Sequence, residues 1–334
     1  MSEEHHLIIA HAGRPVPGAC EGLRLPQLER LLGRLAGGAQ DEGTADPAPE
    51  ALEEAPSPLP LSMPHEIALA RAVGLPARDG HLPLAAWEQA MGGAGDGQAL
   101  RQPLGEAWAW LTPCHWEVGR DHIRMDDPQA LALSDEESRQ ALEAMHPYFR
   151  QDGVEVTWVS ALRWLARGEM LRDLPCASLD RVIGQAVDNW MPRSPQARTL
   201  RRLQQEMQML LYTHSLNDAR ERERRPTINS FWVSGAGALP QAWTAGPAGA
   251  PHCDSRLREA ALRGDGPAWR QAWQSLDADL MARLNHDLDA GRPVRLTLCG
   301  QSQARSWHSA PLGVWQKLTR LVRAPSAAAL LESL

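Results

Sequence analysis

Lysine is almost missing from this chain. Of its 34 basic residues only Lys317 is a lysine, and the other 33 are arginine. A P-loop needs a Gly-Lys-Ser/Thr step and a kinase needs a lysine on its third strand, so both are excluded. A Schiff-base enzyme would have to use Lys317. Arginine in place of lysine, with abundant Ala, Gly and Pro, fits a GC-rich bacterial genome rather than a chemistry. The five cysteines (Cys20, Cys114, Cys176, Cys253, Cys299) are odd in number and never form a C-x-x-C pair. That argues against a zinc ribbon and against a disulfide framework. No apolar run approaches the ~18 residues of a membrane span, and the opening M-S-E-E-H-H has no apolar h-region. Phe and Tyr are scarce, two of each against 13 Trp. Most of these Trp are expected in the core.

The charge balance also excludes a class. Lys+Arg is 34 and Asp+Glu 41, a net charge of −7, which argues against a protein held to nucleic-acid phosphates. The expectation is a cytoplasmic protein with free thiols and with neither nucleic acid nor membrane as partner. A length of 334 residues points to two domains at roughly 150 residues each.

Along the chain, Leu7 to Ala10 reads as a buried strand closing on Gly13. Residues 25–35 and 64–74 have helical period. Residues 37–60 are Gly, Ala, Asp, Glu and Pro, and are expected to be a disordered loop. A second Gly-rich loop covers 92–98, and a Gly/Pro/Ala loop covers 238–252. Ser134 with Glu137 forms a capping box for a helix over 134–146. Residues 154–158 alternate like a strand, and 196–212 is the strongest helix signal. Residues 228–233 read as a strand closing on Gly235 and Gly237. Residues 268–290 read as one helix capped by Gly291, and 294–298 as a last strand. Strands alternating with helices predict an α/β fold.

Two polar groupings stand out. Asn217 and Arg220 are three apart, so they share a helical face, and Asn229 precedes a strand with Gly235 and Gly237 at its end. An amide, a planar fork and close-approach glycines suit a carboxylate or phosphate ester. A helix cap followed by a surface Gly turn gives the same pattern. The second grouping is His115, Arg120, Asp121 and His122. It fits a packed loop in which Asp121 pairs Arg120 or Arg124, or an anion site on Arg120 and His122. The seven-residue spacing of the histidines disfavours a metal.

The stretch His214-Ser215-Leu216-Asn217-Asp218-Ala219-Arg220, followed by Ile228-Asn229-Ser230-Phe231-Trp232-Val233-Ser234-Gly235-Ala236-Gly237, resembles two ordered blocks of the archaeal-type cofactor-independent phosphoglycerate mutases of the alkaline phosphatase superfamily. Ala161 to Leu165, Pro175 to Pro192 and Met63 to Gly92 are similar to further blocks. His115 to His122, Glu206 to His214 and Leu296 to Gly300 resemble the RpfE-type regulatory proteins of proteobacteria.

The resemblance implies an alkaline-phosphatase-like core sheet with helices on both faces, over 1–108 and 236–334, and an inserted α+β substrate-binding-like domain over 109–235. Those enzymes use two divalent metals and a serine nucleophile. Here Ala10-His11-Ala12-Gly13 stands where they have Asp-Gly, and Pro64-His65-Glu66 stands at the nucleophile, with Ser62 two residues before it. Arg258, Leu262 and Cys299-Gly300 fall among the other metal positions. Without such ligands the metal-assisted chemistry stalls. The implied function is a non-catalytic, regulatory or anion-sensing relative with no metal, no cofactor and no catalytic residue. Its ligand would be a phosphorylated or carboxylated metabolite, held by Arg163, Arg181, Asn217, Arg220 and Asn229, the last three close together where insert meets core. Alternatives are a metal-dependent phosphotransferase or cofactor-independent phosphoglycerate mutase with a rearranged site using Ser62 or a later serine, and a scaffold for a protein partner.

Overall fold

The computed structural model describes residues 4–39, 59–92, 105–120, 122–195, 197–244, 251–310 and 326–334. The strands are β1 (His5–Ile9), β2 (Ala36–Ala39), β3 (Ala107–Cys114), β4 (Trp116–Val118), β5 (Ile123–Met125), β6 (Glu155–Ser160), β7 (Arg163–Arg167), β8 (Ser230–Ala238), β9 (His252–Asp254), β10 (Val294–Cys299) and β11 (Ala304–His308). The helices are α1 (Pro26–Arg34), α2 (Pro64–Ala72), α3 (Leu84–Ala90), α4 (Asp135–Gln151), α5 (Leu179–Val182), α6 (Ala197–Tyr212), α7 (Ser215–Arg222), α8 (Arg258–Leu262), α9 (Gly266–Leu276), α10 (Ala282–Asp289) and α11 (Ala327–Glu332). No described helix is long and apolar enough to cross a membrane.

The fold is α/β. The chain divides into two compact units, Met1–Ala45 with Met63–Gly74 and Ala245–Leu334, and Asp46–Ser62 with Leu75–Thr244. The second unit thus takes in residues 75–108, which the sequence reading gave to the core, and runs on to 244 rather than 235.

In the first unit the sheet order is β2-β11-β10-β1-β9. β1 lies parallel to both β10 and β9, and β11 and β2 add antiparallel. Alternation along β1 sends Leu7 and Ile9 to one face, against α1, Trp269 and Trp273 of α9, and Leu284 of α10. Ile8 faces the other way, with Ala68 of α2 and Cys299. Period-2 strands buried on both faces give the continuous apolar run seen in the sequence.

The expected single helix over 268–290 is interrupted. Asp277–Met281 forms a π-helical turn between α9 and α10. The turn presents Asp277 to α1, where its buried carboxylate accepts the N–H groups of Gln27 (3.2 Å) and Leu28 (2.7 Å). Leu25, at the cap position of α1, makes no side-chain cap bond, so Asp277 supplies the cap from a distant part of the chain.

The second unit holds an antiparallel sheet, β6-β7-β3-β8, and the hairpin β4-β5. α4 begins as the sequence predicts: Ser134 Oγ accepts the Glu137 N–H (3.2 Å) and the Glu137 carboxylate accepts the Ser134 N–H (2.9 Å). One turn later Ser138 Oγ accepts the indole N–H groups of both Trp158 (3.1 Å) and Trp164 (2.9 Å). β8 does not stop at Gly235 and Gly237 but runs through them. Both have positive φ (63° and 141°) beside a register shift with β3. A Cβ on either would press against the chain at the start of α3, so the glycines bend the strand and admit that segment.

Of the expected loop over 37–60, Gly37 to Ala39 belong to β2, and 40–58 lie outside the described residues. The loop expected over 92–98 also lies outside them beyond Gly92, as do residues 245–250 of the one over 238–252.

Candidate functional site: the carboxyl ends of the parallel strands

In open α/β sheets ligands collect beyond the carboxyl ends of parallel strands. In the first unit that rim is formed after β1, β9 and β10. Leaving β1, the chain is tied to both neighbours: the Ala10 N–H donates to Asp254 O (3.0 Å) and the Ala12 N–H to Cys299 O (2.6 Å). Between these ties His11 has φ 55°, a left-handed conformation unfavourable for a side chain with a Cβ. Two buried indoles hold it there. Trp269 Nε1 donates to His11 O (3.1 Å) and Trp273 Nε1 to Ala12 O (3.2 Å), and the two rings meet edge to face.

The result is a buried imidazole aimed at a second one. His11 is 2% exposed, and its ring centroid lies 5.4 Å from that of His65. His65 is the second residue of α2, whose N-terminus is closed by Glu66 accepting the Met63 N–H (3.2 Å). The remaining rim groups are occupied. The Asp254 carboxylate accepts both the backbone N–H (3.0 Å) and Nε (2.8 Å) of Arg256. Burial pushes the Cys253 thiol up to about 12, so it is no thiolate. Gly300, after β10, lies against the backbone of Leu334.

The side chains expected to hold an anion lie in the second unit, and their bonds run inward. Asn217 is buried; its amide N–H groups donate to Leu211 O and Ile228 O, and its Oδ1 accepts the Ile228 N–H. Asn229 exchanges two bonds with the Trp116 backbone. Arg220, 1% exposed, donates to Pro226 O (2.7 Å), Glu137 Oε1 (2.8 Å) and Leu131 O (2.5 Å). The three gather around residues 226–229 and pin that segment to α4, α6, α7 and β4. The geometry is a lock rather than a ligand set.

Arg163 is elsewhere in the unit. It donates to Glu88 (2.6 Å) and lies over the Trp110 ring, 3.6 Å from its centroid. Arg181 is buried, with Nη2 donating to Ser62 O (3.1 Å). His115 Nδ1 bonds Thr227 O (2.8 Å); Arg120 and His122 are exposed on the turn of the β4-β5 hairpin, and Asp121 lies outside the described residues. Arg124 pairs with Glu117 and Asp126. Ser62, the alternative nucleophile, is 2% exposed, and its Oγ accepts the Gly80 N–H (2.8 Å). It fastens the turn at Gly80.

Sequence reasoning missed Trp269 and Trp273 as holders of the His11 turn. The i, i+4 spacing of two Trp on one helix was the available signal, but it reads first as core.

No family model matches the chain, and no curated protein matches it. Among the solved structures similar to it are two of low identity. One is the cofactor-independent phosphoglycerate mutase from Thermoplasma acidophilum DSM 1728, at 14% identity and TM-score 0.35, covering 90% of this chain and 88% of that one. The other is the PH0037 protein from Pyrococcus horikoshii, at 12% identity and TM-score 0.46, covering 100% of this chain and 99% of that one. At these scores the likeness carries no functional assignment.

Proposed function

We propose that the chain is a non-catalytic, phosphoglycerate-mutase-like protein that binds an anionic metabolite at the strand-end rim and acts as a sensor or regulator. One observation carries the reading. The two stretches that the sequence resemblance aligns with a metal-binding Asp and with the nucleophile, Ala10–Gly13 and Pro64–Glu66, are neighbours in space. Both present an imidazole there, with ring centroids 5.4 Å apart. Imidazole N–H groups donate to phosphate or carboxylate oxygens, and the start of α2 adds the positive end of a helix dipole.

Two features of this rim speak against the two-metal centre of such enzymes. The one carboxylate at the end of β9 is paired with Arg256, and the end of β10 carries Gly300 against Leu334. The anion-binding role therefore moves from Arg163, Arg181, Asn217, Arg220 and Asn229 to His11 and His65.

Imidazole pairs also ligate transition metals and can carry phosphoryl groups, so the deciding experiment has three readouts. Thermal shift with 3-phosphoglycerate in the presence of chelator is expected to show stabilisation that His11→Ala and His65→Ala abolish. Elemental analysis is expected to find no stoichiometric Mn, Zn or Mg. Incubation with 2- or 3-phosphoglycerate plus Mn is expected to give no interconversion and no acid-labile phosphohistidine. Retained metal, turnover or a phosphohistidine overturns the reading in favour of an enzyme. A protein blind to every ligand that copurifies with a partner overturns it in favour of a scaffold.

A further inference from the structure

Gly13 and Gly300 stand just past the ends of the adjacent parallel strands β1 and β10. Neither has a positive φ, so backbone conformation does not demand glycine at either place. Space does. A Cβ on Gly300 would lie within 2.5 Å of the Leu334 carbonyl carbon and closer still to its oxygen. A Cβ on Gly13 would lie 3.1 Å from the same carbonyl carbon. Two glycines on two strands leave room for one stretch of backbone.

That stretch is fastened at several points. The Arg14 N–H donates to Leu331 O (3.2 Å), and the Gln303 side-chain amide donates to Ser333 O. The Ala327 N–H donates to Glu29 (3.3 Å). Ala327, Leu330 and Leu331 are buried in the core of the unit. Residues 326–334 therefore lie over the strand ends of the same rim that carries His11.

We propose that this segment is a strap occupying part of the strand-end rim, and that it opposes ligand entry until displaced. The proposal rests on the reading that the rim is where the ligand binds. The rim then exists in a strapped and an open form, and the observed affinity is the intrinsic one reduced by the open fraction. The mechanism is steric: the Leu334 backbone fills the space that the two glycines leave, and Gly13 follows His11 by two positions in the chain.

Gly300→Ala in the full chain tests it, with hydrogen exchange of residues 327–334 and calorimetric titration of inorganic phosphate and of 3-phosphoglycerate measured on the same samples. Expected are faster exchange at 331–334 and an affinity raised by about tenfold or more, the reciprocal of the open fraction in the parent chain. Gln303→Ala removes one fastening without adding a clash. It is expected to give the same changes at smaller size, and it serves if Gly300→Ala does not fold. Unchanged exchange in both variants overturns the strap. Faster exchange with unchanged or weaker affinity overturns its opposition to ligand while leaving the binding site standing. Faster exchange with no binding in any form overturns the rim as a ligand site and the strap's role with it.

Discussion

Replacing Arg220 by alanine separates a lock from a ligand site. The guanidinium is 1% exposed and satisfies two backbone carbonyls, Pro226 O and Leu131 O, besides Glu137. Removing it leaves the buried Leu131 carbonyl without that donor, at about 1–3 kcal/mol, and the part-buried Pro226 carbonyl at less. It also takes one partner from Glu137, and breaking a buried pair in this way costs about 3–5 kcal/mol. Glu137 keeps Arg225, which donates to both its oxygens at 2.9 and 3.1 Å, so its charge is not abandoned. These losses overlap, and about 3–5 kcal/mol is the working figure. For a region of this size each kcal/mol is about 2–4 °C in Tm, so calorimetry of Arg220→Ala should show a fall of roughly 6–20 °C. Phosphate or 3-phosphoglycerate affinity, measured well below the new Tm, should not change. Arg220→Lys should fall nearly as far, because an ammonium cannot reach three acceptors in a planar fork. A Tm within about 2 °C of the parent, combined with weakened anion binding, would refute the lock and return Arg220 to the ligand set.

Three further outcomes are expected. Burial pushes the Glu137 carboxyl up, but the Ser134 N–H, Arg225 and Arg220 outweigh it and bring it to about 2; the stability this gives is present above about 4.5 and is lost as pH falls from there toward 2, so melting curves over that window should lose this dependence in Glu137→Gln. Trp269→Phe removes the donor to His11 O and should lower stability by about 1–3 kcal/mol, while freeing the His11 turn, visible as a shifted imidazole resonance; an unmoved resonance would mean that other contacts hold the turn. Ser62→Ala should lower Tm by a few degrees, through loss of the acceptor for the Gly80 N–H, and leave phosphate and 3-phosphoglycerate binding as they were; weakened binding in that variant would place Ser62 at the ligand.

Local signals were legible where one segment decides its own structure. Ser134 and Glu137 fix the start of α4 by a bond between near neighbours. The apolar run at Leu7 to Ala10 and the alternation at Val294 to Leu298 read as strands from their own residues. β3 escaped notice because its small-large alternation, Ala107-Trp108-Ala109-Trp110, is buried on both faces and so carries no polar phase. The π-helical turn escaped because its cause lies far away, at the N-terminus of α1. The candidate site was half legible. The spacing of Asn217, Arg220 and Asn229 placed them together, but side-chain identity does not say whether polar atoms face a ligand or the backbone beside them. His11 and His65 were noticed only as substitutions in aligned blocks. Their meeting depends on sheet order, which no local pattern encodes.

The cap that Asp277 places on α1 has a consequence for the newborn chain. Asp277 follows Leu28 by 249 positions, and both sheet partners of β1 come from beyond residue 251. At ~5–20 residues per second, Leu7, Ile8 and Ile9 leave the ribosome roughly 12–50 s before anything can pair with them. The second unit, whose sheet is complete at Ala238, has all its strands in that interval. Residues 252–298 thus complete a strand made about 240 residues earlier, and the apolar segment 7–9 needs shelter in between. A ribosome-arrested chain ending at residue 244 should show a protease-resistant second unit and a freely cleaved segment 5–34.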